Sequence, residues 1–265
     1  MRKRKLKSIL TKSDAGNSAE VSGTIVMDSD QWIMELFGFQ CVSPGQLKNA
    51  LAEANGEPIT VHVNSPGGYV DAGKEMYSAC MDYGGQLTFQ IDSCADSAAS
   101  MLCMAAAKRG NKCVMSPVGS MVIHLCSGGA DGNKHDMEHA AEMMDATDQT
   151  IANAYILKTG KSRDEVLKLM EAETKFTAQQ ALENHLIDEI ADFGIEHPEN
   201  LQKVLAGETN LLNMYPRLSA STLNFMRNMA PQLKNRLKAS AAVPELDNAE
   251  FELLKAQLEI EKTRF

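Results

Sequence analysis

Apolar and polar residues alternate along this chain in two rhythms. Between residues 19 and 193, short runs of period two are interleaved with longer stretches of helical period. Residues 21–27 and 59–64 read as strands, the second with Ile59, Val61 and Val63 on one face. Residues 87–91 form a further strand. Two more, 113–115 and 121–124, bracket the turn Ser116-Pro117-Val118-Gly119. Helices announce themselves by their starts. Ser43-Pro44-Gly45-Gln46 combines a capping box with proline at the first helical position, which predicts a helix through Ala54. Residues 69–82 make a second helix, ended by Gly84-Gly85, and 98–108 a third. A long helix covers about 134–158, and Ser162/Glu165 and Thr177/Gln180 open two others. Strands separated by helices imply βαβ units with right-handed crossovers, hence an α/β class.

The flanks differ from this middle region. Residues 1–18 carry Arg2, Lys3, Arg4, Lys5, Lys7 and Lys12 and are expected to be a flexible basic arm. Residues 194–265 change character, with prolines at 198, 216 and 231 and then Leu246, Leu253 and Ile260 seven apart. They are expected to be a linker and a C-terminal helical extension, either coiled or docked. At 265 residues and 44% hydrophobic, the chain has enough apolar material for a real core. The net charge of −9 gives no bulk attraction to nucleic acid or anionic lipid, and a 5% aromatic content offers few stacking platforms. The apolar run after the basic start is too short for a secretion signal, and none approaches a membrane span. The six cysteines lack a Cys-x-x-Cys pair and read as reduced thiols of a cytosolic protein.

Four segments could carry chemistry. Asn64-Ser65-Pro66-Gly67-Gly68 lies between a strand and a helix, where glycines permit close approach of a ligand to the backbone; a plain turn is the alternative. Ser97-Ala98-Ala99-Ser100-Met101 is a second such junction, where a serine is either a cap or a nucleophile beside unpaired amides. His124 closes an apolar strand before Gly128-Gly129. Glu171 and Glu173 precede the capped helix that starts at Thr177.

As a set these segments resemble the ClpP family of serine peptidases over about residues 20–192. The family's N-S-P-G-G stands at 64–68, its A-A-S-M at 98–101 and its strand ending in I-H at 123–124. Its T-A-x-x-A stands at 177–181, and its G-L-I-D appears as His185-Leu186-Ile187-Asp188. The resemblance implies a ClpP/crotonase-like fold of stacked βαβ units with a long protruding helix. It makes Ser100 the nucleophile, His124 the general base 24 positions on, and Gly68 and Met101 the oxyanion amides. Glu173 would be the third member, where the family commonly has aspartate; Glu171 or a dyad are the alternatives. Ser97 is then structural, and Asp96 departs from a glycine the family usually has. No metal or organic cofactor is implied.

The run Ser97-Ala98-Ala99-Ser100, the pair Glu173-Thr174 and the tail further resemble ClpP-related head maturation proteases of phages and prophages. The implied substrates are scaffold, capsid or portal chains, and the implied assembly is a ring-shaped homo-oligomer in the bacterial host cytoplasm, either free there or inside the prohead. The long helix, with Met143, Met144, Ile151 and Tyr155, would be its stacking surface. Two motifs compete with this reading. His135-x-x-Glu138-His139 matches a zinc signature but falls within the long helix. Thr159-Gly160-Lys161-Ser162 imitates the end of a P-loop, yet Tyr155 occupies the place of its first glycine, so any ATP-driven unfolding would need another protein. The rival functions are a non-catalytic assembly subunit with the same fold, and acyl-CoA chemistry on a crotonase frame.

Overall fold

The computed structural model describes residues 8–14 and 16–193. The expected extension over 194–265 and residues 1–7 of the expected arm lie outside them. The remainder of that arm is built into the sheet. Leu10–Ser13 (β1) pairs antiparallel with Gly16–Ser22 (β2), whose outer backbone groups it satisfies. The polar, exposed side chains of β1 hid this strand from a hydrophobic-pattern reading.

The main sheet runs β1-β2-β5-β6-β7-β10, where β5 is Ile59–Ser65, β6 Leu87–Asp96, β7 Lys112–Met115 and β10 Glu189–Ile190. All pairs from β2 to β10 are parallel. Parallel neighbours need crossovers, and the helices supply them. Pro44–Ala54 (α2) carries the capping box read from Ser43 and Gln46, and Val70–Asp82 (α3) joins β5 to β6. Ala98–Cys103 (α4), extended by a 3₁₀ turn over Met104–Ala107, joins β6 to β7. Every residue of α4 is buried: Ala98, Ala99 and Ser100 are small enough for close packing, and Met101, Leu102 and Cys103 enter the core. Two short elements, Thr24–Ile25 (β3) and Cys41–Val42 (β4), form a separate parallel pair, with Gln31–Leu36 (α1) between them. The strand expected over 21–27 is broken at Gly23, whose φ of +77° turns β2 into β3.

β6 is the strand that makes the site. Its first half, Thr88–Ile91, pairs with β7, and its last three residues pair instead with Ser120–Ile123 (β8). β8 in turn pairs antiparallel with Thr174–Thr177 (β9). The sheet therefore forks at its C-terminal edge, where open α/β sheets bind ligands. Lys134–Thr159 (α5) spans 26 residues, about 39 Å at 1.5 Å per residue. Its last turns bury Ile151, Ala152, Ala154 and Tyr155, while Met137 and Met143 are exposed. Ile151 and Tyr155 thus belong to this chain's own core rather than to the stacking face expected of them. Arg163–Glu171 (α6) and Ala178–Glu183 (α7) start at the capping boxes read from Ser162 and Thr177. No helix among the described residues is long and apolar enough to cross a membrane.

Candidate active site

The two strand-to-helix junctions meet at the fork. After β5 the chain turns through Pro66-Gly67-Gly68, held by Ser65, whose hydroxyl donates to Gly23 O (2.6 Å) and accepts from Gly67 N (3.1 Å). Gly67 has φ +90°, and a Cβ there would lie 2.6 Å from both Asp96 O and Ser97 Cβ. Gly68 bridges β3: Ile25 N donates to Gly67 O and Tyr69 N to Ile25 O. In a parallel bridge of this kind the residue between those two groups turns its own amide to the other side. The Gly68 amide is therefore available on an exposed turn.

The second junction centres on Ser97. Its φ of +56° and ψ of −124° lie where a residue with a Cβ is strained. Ser97 N donates to Val122 O (2.9 Å), extending the β6–β8 ladder by one step, and its side chain is partly exposed. The geometry, a partly exposed serine on a sharp strand-to-helix turn, has the form of a nucleophile elbow. The next residue, Ala98, opens α4, so its amide has no acceptor within the helix.

Ser100 sits differently. It is 0% exposed. Its Oγ lies 2.6 Å from Ser97 O, 3.0 Å from Val122 O and 2.8 Å from the Tyr155 hydroxyl. A hydroxyl so enclosed offers no face to a peptide carbonyl, and the assignment of Ser100 as nucleophile is corrected on that ground. Met101 is corrected with it, since its amide donates to Ser97 O (3.2 Å) inside the first helical turn. The serine that the structure leaves partly exposed at this junction is Ser97. A signal for it existed: with a helix read from 98 onward, Ser97 is the junction residue and Ser100 is already one turn inside.

His124 follows β8 directly and is 7% exposed. Its Nδ1 is hydrogen-bonded to Leu125 O. A carbonyl can only accept, so Nδ1 carries the proton and Nε2 is the basic nitrogen. Beyond it, Cys126 N donates to the buried Asp148 Oδ1 on α5 (2.6 Å), which ties the segment after His124 to the long helix. Glu173 lies just before β9. The β8–β9 ladder ends at the pair Ile123 and Thr174, so His124 and Glu173 are the residues that adjoin that end on the two strands. Glu173 is exposed with φ +46°, while Glu171 ends α6.

The competing motifs stay apart from this place. His135 and His139 are exposed on α5, their Nδ1 atoms 3.5 Å from Glu138 and 3.9 Å from Glu142. Among the described residues no group of three or more His, Cys, Asp or Glu is gathered to hold a metal. Gly160 is the left-handed cap of α5 and Ser162 the cap of α6, so 159–162 is a helix-to-helix turn. Burial raises the thiols of Cys41, Cys94 and Cys126 to about 11 and that of Cys80 to about 12, which keeps them protonated and poor nucleophiles.

Comparison with known proteins agrees with the fold. A family model described as "Clp protease" matches residues 42–193. Proteins named "ATP-dependent Clp protease proteolytic subunit" from three strains of Dehalococcoides mccartyi are each 30% identical over 142 residues, 54% of this chain and 68% of theirs. A solved structure of a mutant ClpP1 from Listeria monocytogenes superposes with a TM-score of 0.54 at 19% identity, covering 66% of this chain and 91% of that one.

Proposed function

Because this chain belongs to the Clp protease family, a family of serine-type peptidases, we propose that it is a serine endopeptidase whose nucleophile is Ser97. The observation that carries the assignment is the strained backbone of Ser97, φ +56°, at a partly exposed strand-to-helix turn beside β8, the strand that leads into His124. Strain of this kind costs about 1–3 kcal/mol and persists where the surrounding structure holds it. Here Gly67 on one side and Val122 O on the other hold it.

In this reading Ser97 Oγ attacks the scissile carbonyl carbon while His124 Nε2 takes its proton. The oxygen that gains negative charge is met by the amides of Gly68 and Ala98. Collapse of the tetrahedral species breaks the C–N bond, and His124 returns the proton to the departing amine. Water then repeats the sequence on the acyl ester and releases Ser97. The Leu125 carbonyl fixes the tautomer of His124, and Glu173 is assigned the task of stabilising the imidazolium.

The substrates proposed are protein chains, specifically phage scaffold, capsid or portal proteins during prohead maturation. The proposed setting is a ring-shaped homo-oligomer in the bacterial host cytoplasm, with the exposed part of α5 around Met143 at its interfaces. A fluorophosphonate probe tests the chemistry: after labelling, peptide mass mapping should find the adduct on Ser97. An adduct on Ser100, or none on either serine, defeats the assignment.

A further inference from the structure

Ser100 is a serine that the reaction does not use, and its surroundings are too specific for a filler of the core. Its hydroxyl touches two carbonyls and one phenol at 2.6, 3.0 and 2.8 Å. Hydrogen counting settles the directions. Neither carbonyl can donate, so the single Ser100 proton is given to Ser97 O and Val122 O, and the Tyr155 hydroxyl must donate to Ser100 Oγ. Tyr155 is 2% exposed, and burial holds its phenol well above the usual range, so it remains a donor at any working pH.

The two carbonyls are the important pair. Ser97 O belongs to the residue in the strained turn. Val122 O also accepts from Ser97 N at 2.9 Å, and it lies two residues before His124 on β8. One hydroxyl therefore ties the peptide leaving the nucleophile to the strand that carries its base. Tyr155, from the last turns of α5, holds that hydroxyl from behind. We propose that Ser100 and Tyr155 are a positioning pair that sets the approach of Ser97 to His124. This rests on the reading of Ser97 as nucleophile. The physical basis is that misplacing reacting groups by about 1 Å can cost about 100-fold in rate.

The experiment compares Tyr155→Phe, Ser100→Ala and the double variant, using fluorophosphonate labelling of the full chain with melting temperature recorded alongside. Tyr155→Phe keeps the buried ring and removes one hydroxyl, so it serves where Ser100→Ala does not fold. A positioning role lowers the maximal labelling rate constant about 10- to 100-fold, while the half-saturating probe concentration and the final stoichiometry stay at wild-type values. Because both residues act through one bond, the double variant should be no slower than the worse single variant. A purely structural role would lower the melting temperature and the labelled fraction while intact molecules react at the wild-type rate; that result overturns the proposal. So do wild-type rates in Tyr155→Phe, or additive losses in the double variant. Failure of the underlying reading is separate: it shows as a wild-type adduct mapped away from Ser97.

Discussion

Two serines three residues apart occupy opposite physical regimes in this molecule. Ser97 sits in a turn that is strained and partly open, and its backbone is held by neighbours on both sides. Ser100 sits one helical turn on, in relaxed geometry, fully enclosed and bonded to three oxygens. A nucleophile has to be reachable and to have its oxygen free to attack. A buried hydroxyl has to be satisfied, because an unmet polar group costs about 1–3 kcal/mol. The first environment suits reaction and the second suits support.

Exchanging Ser97 for glycine sharpens this contrast most. Glycine accepts φ +56° without penalty, so Ser97→Gly should gain about 1 kcal/mol of stability by release of strain, a rise of roughly 2–4 °C in melting temperature. Peptidase activity should fall at least about 10⁴-fold. A variant that is less stable than wild type would show the turn to be relaxed as it stands. Next comes Gly67→Ala. Its Cβ would meet Asp96 O, Ser97 Cβ and Ala98 N within 2.6–2.9 Å, so the turn must shift. Labelling should slow about 100-fold and stability drop by about 2–4 kcal/mol. Wild-type labelling by this variant would mean that the two junctions do not share a site. The smallest effect is expected at Glu173. Where a carboxylate alone orients the imidazole, its loss costs about 10⁴-fold, but here Leu125 O already fixes the tautomer. Glu173→Gln should therefore lower kcat about 10- to 100-fold with KM unchanged. A 10⁴-fold loss would restore the carboxylate to the orienting role.

What could be read in advance divides along the same line. The capping boxes at Ser43, Ser162 and Thr177 predicted three helix starts that the structure reproduces, because each is a local bargain between a side chain and amides three residues away. The alternation of Ile59, Val61 and Val63 found β5 because one face of that strand is buried. By contrast β9 and β10 are short and depend on partners distant in sequence, while β1 is polar and forms only by folding back on β2. The site split similarly. Gly68 and His124 were placed at the fork by motif and element order together. Ser97-Ala98-Ala99-Ser100 offers two hydroxyls in similar company, and although the helix start at 98 marks Ser97 as the junction residue, its backbone strain leaves no mark on residue type. Only the end of β6 at Asp96 decides which of them faces out.

The forked pairing of β6 has a mechanical consequence. The serine is rooted in the broad sheet, whereas the imidazole rides on the narrow β8–β9 ribbon, which joins that sheet through three residue pairs with β6. The partners of the proposed reaction thus stand on separate limbs of the framework. In the proposed reaction, any shift of the ribbon relative to the sheet would change the spacing of the two side chains, and the bond from Cys126 to Asp148 on the long helix restrains that shift.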